Sequence, residues 1–247
     1  MINSNPFSLE GKNILVTGAS AGIGRRIAIM CSEMGGTVIM TGRNEGRLQE
    51  TRAQLAGDDH LVLSGDLTKE EDRCRIAQSM PKLDGIVHCA GIGHMKMCKQ
   101  IDQNDLDTVM GINFIAPVLL QKELLSSKLV NKNASIVFIS SIAVVKPNVG
   151  NAVYSASKGA ITSYANCLAL ELAPRQIRVN TVEPAMVWTD LVYGNGLGDE
   201  ELKADMEKYP LKRYGEPEDV AGLVVYLLSD ASQWMTGSHI QITGGYR

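Results

Sequence analysis

The amino-acid sequence predicts an α/β fold in which a doubly wound parallel sheet is covered by helices on both faces. Six apolar runs rich in β-branched residues, and a further short run near the C-terminus, are separated by stretches of helical composition. The 247 residues have an average composition and contain no low-complexity segment and no Pro- or Ser-rich linker. We therefore expect a single domain over residues 1–247, built on a seven-stranded parallel sheet.

Charge and composition argue against several classes of partner. The formal net charge is -3 and the sequence pI is near 5.8, with Lys and Arg scattered, so no nucleic-acid-binding surface is expected. The start of the chain has neither a basic segment nor an apolar run, and no later apolar segment approaches the ~20 residues that a membrane helix needs. The cysteines form no C-x-x-C pair and the histidines show no zinc spacing. These patterns predict a cytoplasmic protein with reduced thiols and no metal.

The first apolar run, residues 13–17, leads directly into three glycines with the spacing G-x-x-x-G-x-G. Gly18 permits a tight turn from strand to helix, and Gly22 and Gly24 let the backbone approach a pyrophosphate. The helix that follows offers free N–H groups and the positive end of its dipole. The arrangement predicts a Rossmann fold that binds a dinucleotide at this turn.

The second apolar run, residues 37–41, ends at Gly42 and Arg43. In this architecture an acidic residue about 20 positions beyond the glycines binds the ribose hydroxyls of NAD, whereas an arginine accommodates the 2′-phosphate of NADP. A carboxylate would repel that phosphate, and a guanidinium can pair with it. We therefore expect NADP(H) as the coenzyme; the alternative is that Arg43 is a solvated residue in a polar loop.

Three reactive side chains lie near the middle of the chain. Tyr154 and Lys158 are four positions apart in residues 153–172, whose composition predicts a helix with both side chains on one face. An ammonium beside a phenol favours the phenolate and improves acid-base catalysis at neutral pH. Ser141 follows the apolar run 135–140, where a loop could bring its hydroxyl to the same point. Together they predict a site that holds and protonates a carbonyl oxygen, although a Tyr-x-x-x-Lys pair alone is more often an ordinary surface pair.

These motifs resemble a known family. Ser141 thirteen residues before Tyr154, together with the glycine-rich stretch 17–24, is similar to the short-chain dehydrogenase/reductase family, and the resemblance extends from about residue 9 to the C-terminus. The layout and residues 213–220 resemble bacterial 3-oxoacyl-[acyl-carrier-protein] reductases in particular. The resemblance implies an oxidoreductase that transfers a hydride between NADP(H) and a ketone or secondary alcohol.

The resemblance also implies the roles of four catalytic residues. Tyr154 would exchange the proton, Ser141 would hydrogen-bond the same oxygen, and Lys158 would assist Tyr154 and hold the nicotinamide ribose. Asn113 would interrupt the helical stretch 104–125 and support a water. The pattern alone does not distinguish Asn113 from Asn104.

Contacts to the coenzyme are implied in the same way. Asp66 and Leu67 follow the third apolar run, residues 60–64, and match an adenine-contacting pair; Asp66 is also placed to cap a helix that begins near Thr68. The predicted coenzyme-binding residues are Gly18, Ser20, Gly22, Ile23, Gly24, Arg43, Asp66, Leu67, Ala90, Gly91, Tyr154, Lys158, Pro184, Val187 and Thr189.

The sequence departs from the family pattern at three places. His88 and Cys89 replace a usual pair of asparagines, and His88 is interpreted as a hydrogen-bonded residue at a strand end. Ala185 replaces a usual glycine and is expected to lose freedom at positive φ. Ala21 lies where many NADP-dependent members carry a basic residue.

The substrate is expected to be a small carbonyl compound or alcohol. Residues 190–214 are interpreted as a lid, and a plain surface excursion is the alternative. The expected pocket residues are Ile142, Val144, Asn148, Asn151, Met186, Trp188, His94 and Met95. A 3-oxoacyl thioester would bring the acidic acyl carrier protein to Lys128, Lys132 and Arg175, for which solvated surface charges are an equal alternative. A sugar, polyol or steroid-like alcohol is the alternative substrate. A second alternative is a sensor or scaffold that binds NADP without turnover. The family implies a homotetramer or homodimer.

Overall fold

A computed structural model describes residues 5–193 and 198–246 and contains the predicted seven-stranded parallel sheet. The strand order is β3-β2-β1-β4-β5-β6-β7, and every neighbouring pair is parallel. The strands are Asn13–Thr17 (β1), Thr37–Gly42 (β2), Leu61–Ser64 (β3), Leu83–His88 (β4), Val130–Ile139 (β5), Arg178–Pro184 (β6) and His239–Ile242 (β7). The chain therefore starts in the middle of the sheet, winds to one edge, and returns to build the other half, which is the doubly wound topology predicted from the sequence.

Helices connect the strands and cover both faces of the sheet. They are Gly22–Glu33 (α1), Glu45–Arg52 (α2), Glu70–Gln78 (α3), Gln103–Met110 (α4), Ala116–Ser126 (α5), Ala152–Leu172 (α6), Asp190–Tyr193 (α7), Asp199–Met206 (α8) and Pro217–Leu228 (α9). The apolar side chains of α3, α5 and α6 form one core with the sheet, and those of α1 and α9 form a second. Because both faces are buried, successive strand residues such as Leu15 and Val16 are both fully buried, which explains the continuous apolar runs of the sequence.

One segment corrects a sequence-based expectation. Helices α4 and α5 are joined by a π-helical turn, Gly111–Ile115, into one helical stretch over 103–126. In the described ranges this stretch is long and apolar enough to cross a membrane by length and composition, so the expectation that no apolar segment approaches that length is wrong. Leu120 and Leu124 are fully buried in the core beside the sheet, and Asp105 lies in the first turn. One side of the stretch therefore packs against the sheet, while Leu106, Ile115 and Leu119 are exposed.

The described residues of the segment 190–214 lie beside the carboxyl ends of the strands. Val192, Leu202, Tyr209 and Tyr214 are buried together in a third apolar cluster. The Tyr209 and Tyr214 rings meet edge to face at 5.3 Å. Part of the Gly-rich stretch, 194–197, lies outside the described residues. The interpretation of this region as a lid remains a prediction.

Candidate active site

The site begins where the strand order reverses, between β1 and β4. Gly18 follows β1 with φ +69°, and a Cβ built there would lie 2.9 Å from the backbone of Ala90, which follows β4. The hydroxyl of Thr17 accepts hydrogen bonds from the backbone N–H groups of Cys89 and Ala90, at 2.9 and 3.0 Å. The two strand ends are therefore fixed close together, at a distance that only glycine permits at position 18.

The first turn of α1 forms a cradle that suits a pyrophosphate. A Cβ at Gly24 would lie 2.3 Å from the carbonyl oxygen of Gly18, and one at Gly22 would lie 3.1 Å from the Thr189 methyl group. The N-cap residue, Ala21, makes no side-chain cap, and the first turn contains no acidic residue. The N–H groups of α1 are thus available to an anion at the positive end of the helix dipole. These features fit the phosphates of a dinucleotide.

The far end of the same cavity carries two arginines. Arg43, exposed after β2, was predicted to lie there; Arg47, in the first turn of α2, was not. The guanidinium of Arg47 lies 2.9 Å from the carboxylate of Asp190, at the start of α7. A basic residue four positions after Arg43 was the sequence signal that could have identified it.

Asp66 also lines this end, but in a different local structure from the one predicted. Its carboxylate accepts hydrogen bonds from the Thr68 backbone N–H and hydroxyl, at 3.0 and 2.7 Å. These bonds, with a smaller contribution from Arg43, hold the pKa of Asp66 below its ordinary value. Helix α3 begins only at Glu70 with Lys69 as N-cap. The prediction that Asp66 caps a helix is therefore wrong, because its side chain closes a turn before the helix starts.

Ser141, Tyr154 and Lys158 all line the cavity. Ser141 directly precedes a 3₁₀ turn, Ile142–Val144, and its Oγ accepts the Ala143 N–H at 3.1 Å. Tyr154 and Lys158 project from α6, and the Lys158 Nζ lies 5.9 Å from the centroid of the Tyr154 ring. Lys158 is buried and donates a hydrogen bond to the Ile139 carbonyl at 2.8 Å. The predicted helical spacing and the loop after β5 bring the three groups to the same surface.

Asn113 lies behind these residues and does not line the cavity. Its Oδ1 accepts the Ile92 N–H at 2.8 Å, and its Nδ2 donates to the Ile92 carbonyl and the Ser157 hydroxyl, both at 3.0 Å. Ser157 in turn donates to the Tyr154 carbonyl at 2.7 Å. A Cβ at Gly91 would lie 3.2 Å from the Asn113 Oδ1 and 3.4 Å from the Lys158 Nζ. Asn113 therefore ties the segment after β4 to the helix that carries Tyr154 and Lys158.

Of the two residues that replace the usual asparagines, His88 is buried and Cys89 is half-buried. His88 stacks on Phe138 with ring centroids 4.5 Å apart, and its Nε2 is 3.0 Å from the Gln121 Oε1. Burial lowers the pKa of His88 to about 4, so the ring is neutral at neutral pH. Burial raises the pKa of the Cys89 thiol to about 12, against the opposing charge of Lys158. The interpretation of His88 as a hydrogen-bonded residue at the strand end agrees with this geometry.

The other end of the cavity contains most of the expected pocket residues. Ile142, Asn148, Asn151, Met186, His94 and Met95 line it. Val144 and Trp188 do not; the Trp188 ring packs against Tyr214 with centroids 5.0 Å apart. Sequence reasoning missed Lys146, Asp205, Lys208, Tyr209 and Tyr246, which also line this end. Asp205, Lys208 and Tyr209 lie close together within the segment interpreted as a lid, but no spacing in the sequence relates them to Lys146 or Tyr246.

Two further expectations about this region are wrong. Ala185 is not among the described residues with positive φ, so its backbone needs no glycine. The expected contacts for an acyl carrier protein, Lys128, Lys132 and Arg175, lie at the amino ends of β5 and β6, whereas the cavity opens at the carboxyl ends. Strand direction therefore places these three charges on the opposite edge of the sheet.

The complete cavity has a volume of about 830 Å³. It is lined by every residue predicted to bind the coenzyme, and it extends to Tyr246. Its volume lies in the upper part of the range of small-molecule sites, about 300–1,000 Å³. The cavity can therefore hold a dinucleotide at one end and a further small molecule beside Ser141 and Tyr154.

Comparison with known proteins agrees with this architecture. Residues 18–247 match a family model described as Enoyl-(Acyl carrier protein) reductase. The chain is 35% identical over 239 residues to the 3-oxoacyl-[acyl-carrier-protein] reductase FabG of Rickettsia felis, covering 97% of this chain and 98% of that protein. It is 34% identical over 246 residues to the L-xylulose reductase of Caenorhabditis elegans, covering 97% of each chain. A dehydrogenase/reductase from Sinorhizobium meliloti superposes with a TM-score of 0.90 at 33% identity, covering 98% of this chain and 97% of the other. With the sheet order, glycine turn and Ser-Tyr-Lys group described above, these matches show that the chain belongs to the short-chain dehydrogenase/reductase family.

Proposed function

We propose that this protein is an NADP(H)-dependent enzyme that reversibly transfers a hydride between the nicotinamide and a ketone or secondary alcohol. The observation that supports the proposal most directly is the convergence of Ser141, Tyr154 and Lys158 on the wall of the cavity that also contains the glycine turn. When bound, the coenzyme supplies or accepts the hydride; the remaining chemistry is the handling of one proton and one oxygen by these side chains.

The hydrogen bonds of the site suggest how each group acts. The Ser141 Oγ already accepts the Ala143 N–H, so its own proton is free to be donated to the substrate oxygen. Tyr154 protonates the same oxygen during reduction and removes the proton during oxidation. Lys158 uses one of its three protons on the Ile139 carbonyl and keeps two for the ribose hydroxyls and the phenol. Asn113 acts as a positioning residue through Ile92 and Ser157.

The proposed preference for NADP(H) rests on the two arginines at the adenosine end. Arg43 and Arg47 both line that end. The Arg43 guanidinium can pair with a 2′-phosphate in a bidentate geometry, whereas Arg47 is already paired with Asp190. Asp66 is a carboxylate in the same region, but it accepts two hydrogen bonds from Thr68. The preference for a phosphate over a bare ribose hydroxyl therefore depends chiefly on the guanidinium of Arg43.

Two substrate classes follow from the relatives. The name of the Rickettsia felis relative indicates a 3-oxoacyl thioester, and the name of the Caenorhabditis elegans relative indicates a sugar. For this chain we propose a small carbonyl compound or alcohol, with an acyl carrier protein as partner only if the thioester is the substrate. We further propose a cytoplasmic homotetramer or homodimer without a nucleic-acid or membrane partner. A sensor or scaffold is less favoured, because Ser141, Tyr154, Lys158 and Asn113 are all present.

The experiment that tests the proposal is NADPH oxidation at 340 nm with a panel of ketones, sugars and acetoacetyl thioesters on coenzyme A and acyl carrier protein. We expect turnover of at least one class, and a loss of about 100-fold or more in kcat for Tyr154→Phe, since general acid-base catalysis contributes about 10²–10⁴-fold. Tyr164→Phe, on the same helix but outside the cavity, is the matched control. Equal rates for Tyr154→Phe and wild type would refute the assignment. Tight NADPH binding without turnover of any compound would favour the sensor or scaffold.

The coenzyme is tested separately by titrating intrinsic fluorescence with NADPH and NADH. Arg43→Ala should weaken NADPH binding by about tenfold, the size of one lost charge-assisted hydrogen bond, with little change for NADH. Arg52→Ala, an exposed arginine at the end of α2 that does not line the cavity, should change neither. A wild-type preference for NADH would overturn the NADP assignment and leave the oxidoreductase proposal intact.

A further inference from the structure

One lysine at the substrate end of the cavity has no carboxylate partner among the described residues. Lys146 follows the 3₁₀ turn after Ser141, is half-buried and lines the cavity. Its Nζ lies 3.8 Å from the centroid of the Tyr246 ring. Within the described ranges, 5–193 and 198–246, none of the ion pairs of the protein includes Lys146. The ammonium is thus held in a defined place against an aromatic face, with its charge uncompensated.

The other charges around this end are already engaged. Lys208 lies 2.9 Å from the carboxylate of Asp205, and that carboxylate also accepts the Tyr214 hydroxyl at 2.7 Å. The Tyr246 ring, which contacts Lys146, stacks on Tyr209 at 4.7 Å between centroids. Asp205 is therefore satisfied by two donors. The described lining of the substrate end carries a net positive charge, and Lys146 is its free cation.

We propose that the substrate carries a carboxylate, and that Lys146 binds this group while Ser141 and Tyr154 act on its carbonyl or hydroxyl carbon. The inference rests on the proposed oxidoreductase function. The amide side chains of Asn148 and Asn151 line the same end and can donate further hydrogen bonds to a carboxylate. A half-buried ammonium gains more from a charge-assisted hydrogen bond than from an aromatic face alone. The substrate class is therefore an oxo acid and its hydroxy acid, and not a neutral acyl thioester.

The test compares acids with esters of nearly the same shape. We would measure kcat/KM with NADPH for the oxo acids from 3-oxobutanoate to 6-oxoheptanoate and for their methyl esters. The wild-type enzyme should prefer at least one acid by about tenfold or more, the size of one hydrogen bond to a charged group. In Lys146→Met this acid-to-ester ratio should fall to about one. Lys146→Arg should restore a preference for the acid, because it keeps the charge.

A control variant and a binding measurement distinguish failure of the proposed carboxylate site from failure of the proposed oxidoreductase function. Lys132→Met, an exposed lysine at the opposite edge of the sheet, should keep the wild-type ratio. Binding without turnover is measured by calorimetry on Tyr154→Phe saturated with NADPH, titrated with each acid and its ester. If no compound is reduced but acids bind and esters do not, the proposed function fails and the carboxylate site stands. The inference would be overturned if the wild-type protein showed equal kcat/KM and equal affinity for acids and esters. It would also be overturned if Lys146→Met kept the wild-type preference for the acid.

Discussion

The buried histidine at the end of β4 makes the stability of this protein depend on pH. His88 is 4% exposed, stacks on Phe138 and contacts Gln121. Burial lowers its pKa from the ordinary value of 6.5 to about 4. Since the unfolded chain takes up a proton at this side chain near pH 6.5 and the folded protein only near pH 4, acid favours the unfolded state. Stability contributed by neutral His88 is complete above about pH 6.5 and is lost as the pH falls toward 4.

The magnitude follows from the gap between the two pKa values. A tenfold change in proton affinity corresponds to about 1.4 kcal/mol, so the whole effect is about 3 kcal/mol. About 2 kcal/mol of this should be lost between pH 7.5 and pH 5. Carboxylates with lowered pKa, such as Asp66 and Asp219, add to the acid sensitivity. They are common to wild type and variant, so a comparison of the two isolates His88.

The assay is urea unfolding at pH 7.5 and pH 5.0, at one protein concentration because an oligomer would unfold in a concentration-dependent way. His88→Asn and His88→Gln replace the ring by an amide that does not titrate. Either variant is expected to be less stable than wild type at pH 7.5, since the stack on Phe138 is lost. Between the two pH values, however, each should lose about 2 kcal/mol less than wild type. A pH-dependent loss equal to that of wild type, within about 0.5 kcal/mol, would refute the reasoning.

Two further predictions concern the glycine turn and the positioning of α6. Gly24→Ala forces a Cβ to within 2.3 Å of the Gly18 carbonyl oxygen, so NADPH binding should weaken by about tenfold or more in a fluorescence titration. The control is Gly222→Ala in α9, where the added Cβ meets nothing within 4 Å. This variant should bind NADPH normally and gain about 0.5–1 kcal/mol in the free energy of unfolding. Asn113→Ala removes the link between Ile92 and Ser157 and should lower kcat by about tenfold or more, with a nearly unchanged dissociation constant for NADPH. The control Asn104→Ala, at an exposed position, should leave both values unchanged. Equal effects of the two substitutions would show that Asn113 has no positioning role.

The architecture could be predicted because its signals are local. A strand buried on both faces requires a continuous apolar run, and a turn as close as the one between Gly18 and Ala90 requires glycine. The helical spacing of Tyr154 and Lys158 similarly fixes their common face. The apolar runs and the Tyr-Lys spacing depend on residues that are near one another in the sequence, so the pattern carries the structural information. The approach of Gly18 to Ala90 joins distant segments, and only the glycine spacing indicates it.

The missed residues depend on contacts between distant segments. The position of Trp188 in the sequence predicted a pocket residue, but its ring packs against the ring of Tyr214, on a later segment of the chain. Lys146 lies beside Tyr246, a hundred positions later, and no periodicity relates them. The lysines expected to contact an acyl carrier protein were predicted from their charge alone, and charge does not indicate at which end of the strands a residue lies. Parallel topology alone would have excluded Lys132, near the start of β5, because the site lies beyond the end of that strand.

The charge of the whole chain also differs in sign from the charge of its cavity. The net charge of -3 gave no reason to expect an anionic ligand. Yet among the described residues that line the cavity, the cationic side chains are Arg43, Arg47, Lys146, Lys158 and Lys208, and the carboxylates are Asp66, Asp190 and Asp205. A cleft with walls of low dielectric concentrates the field of its own lining, so these cations act on a ligand more strongly than the distant surface carboxylates. The coenzyme phosphates and the substrate carboxylate that we propose would both follow from this charge distribution. The sign of a site must therefore be read from the residues that the fold brings to it, because an overall count mixes them with charges that face solvent elsewhere.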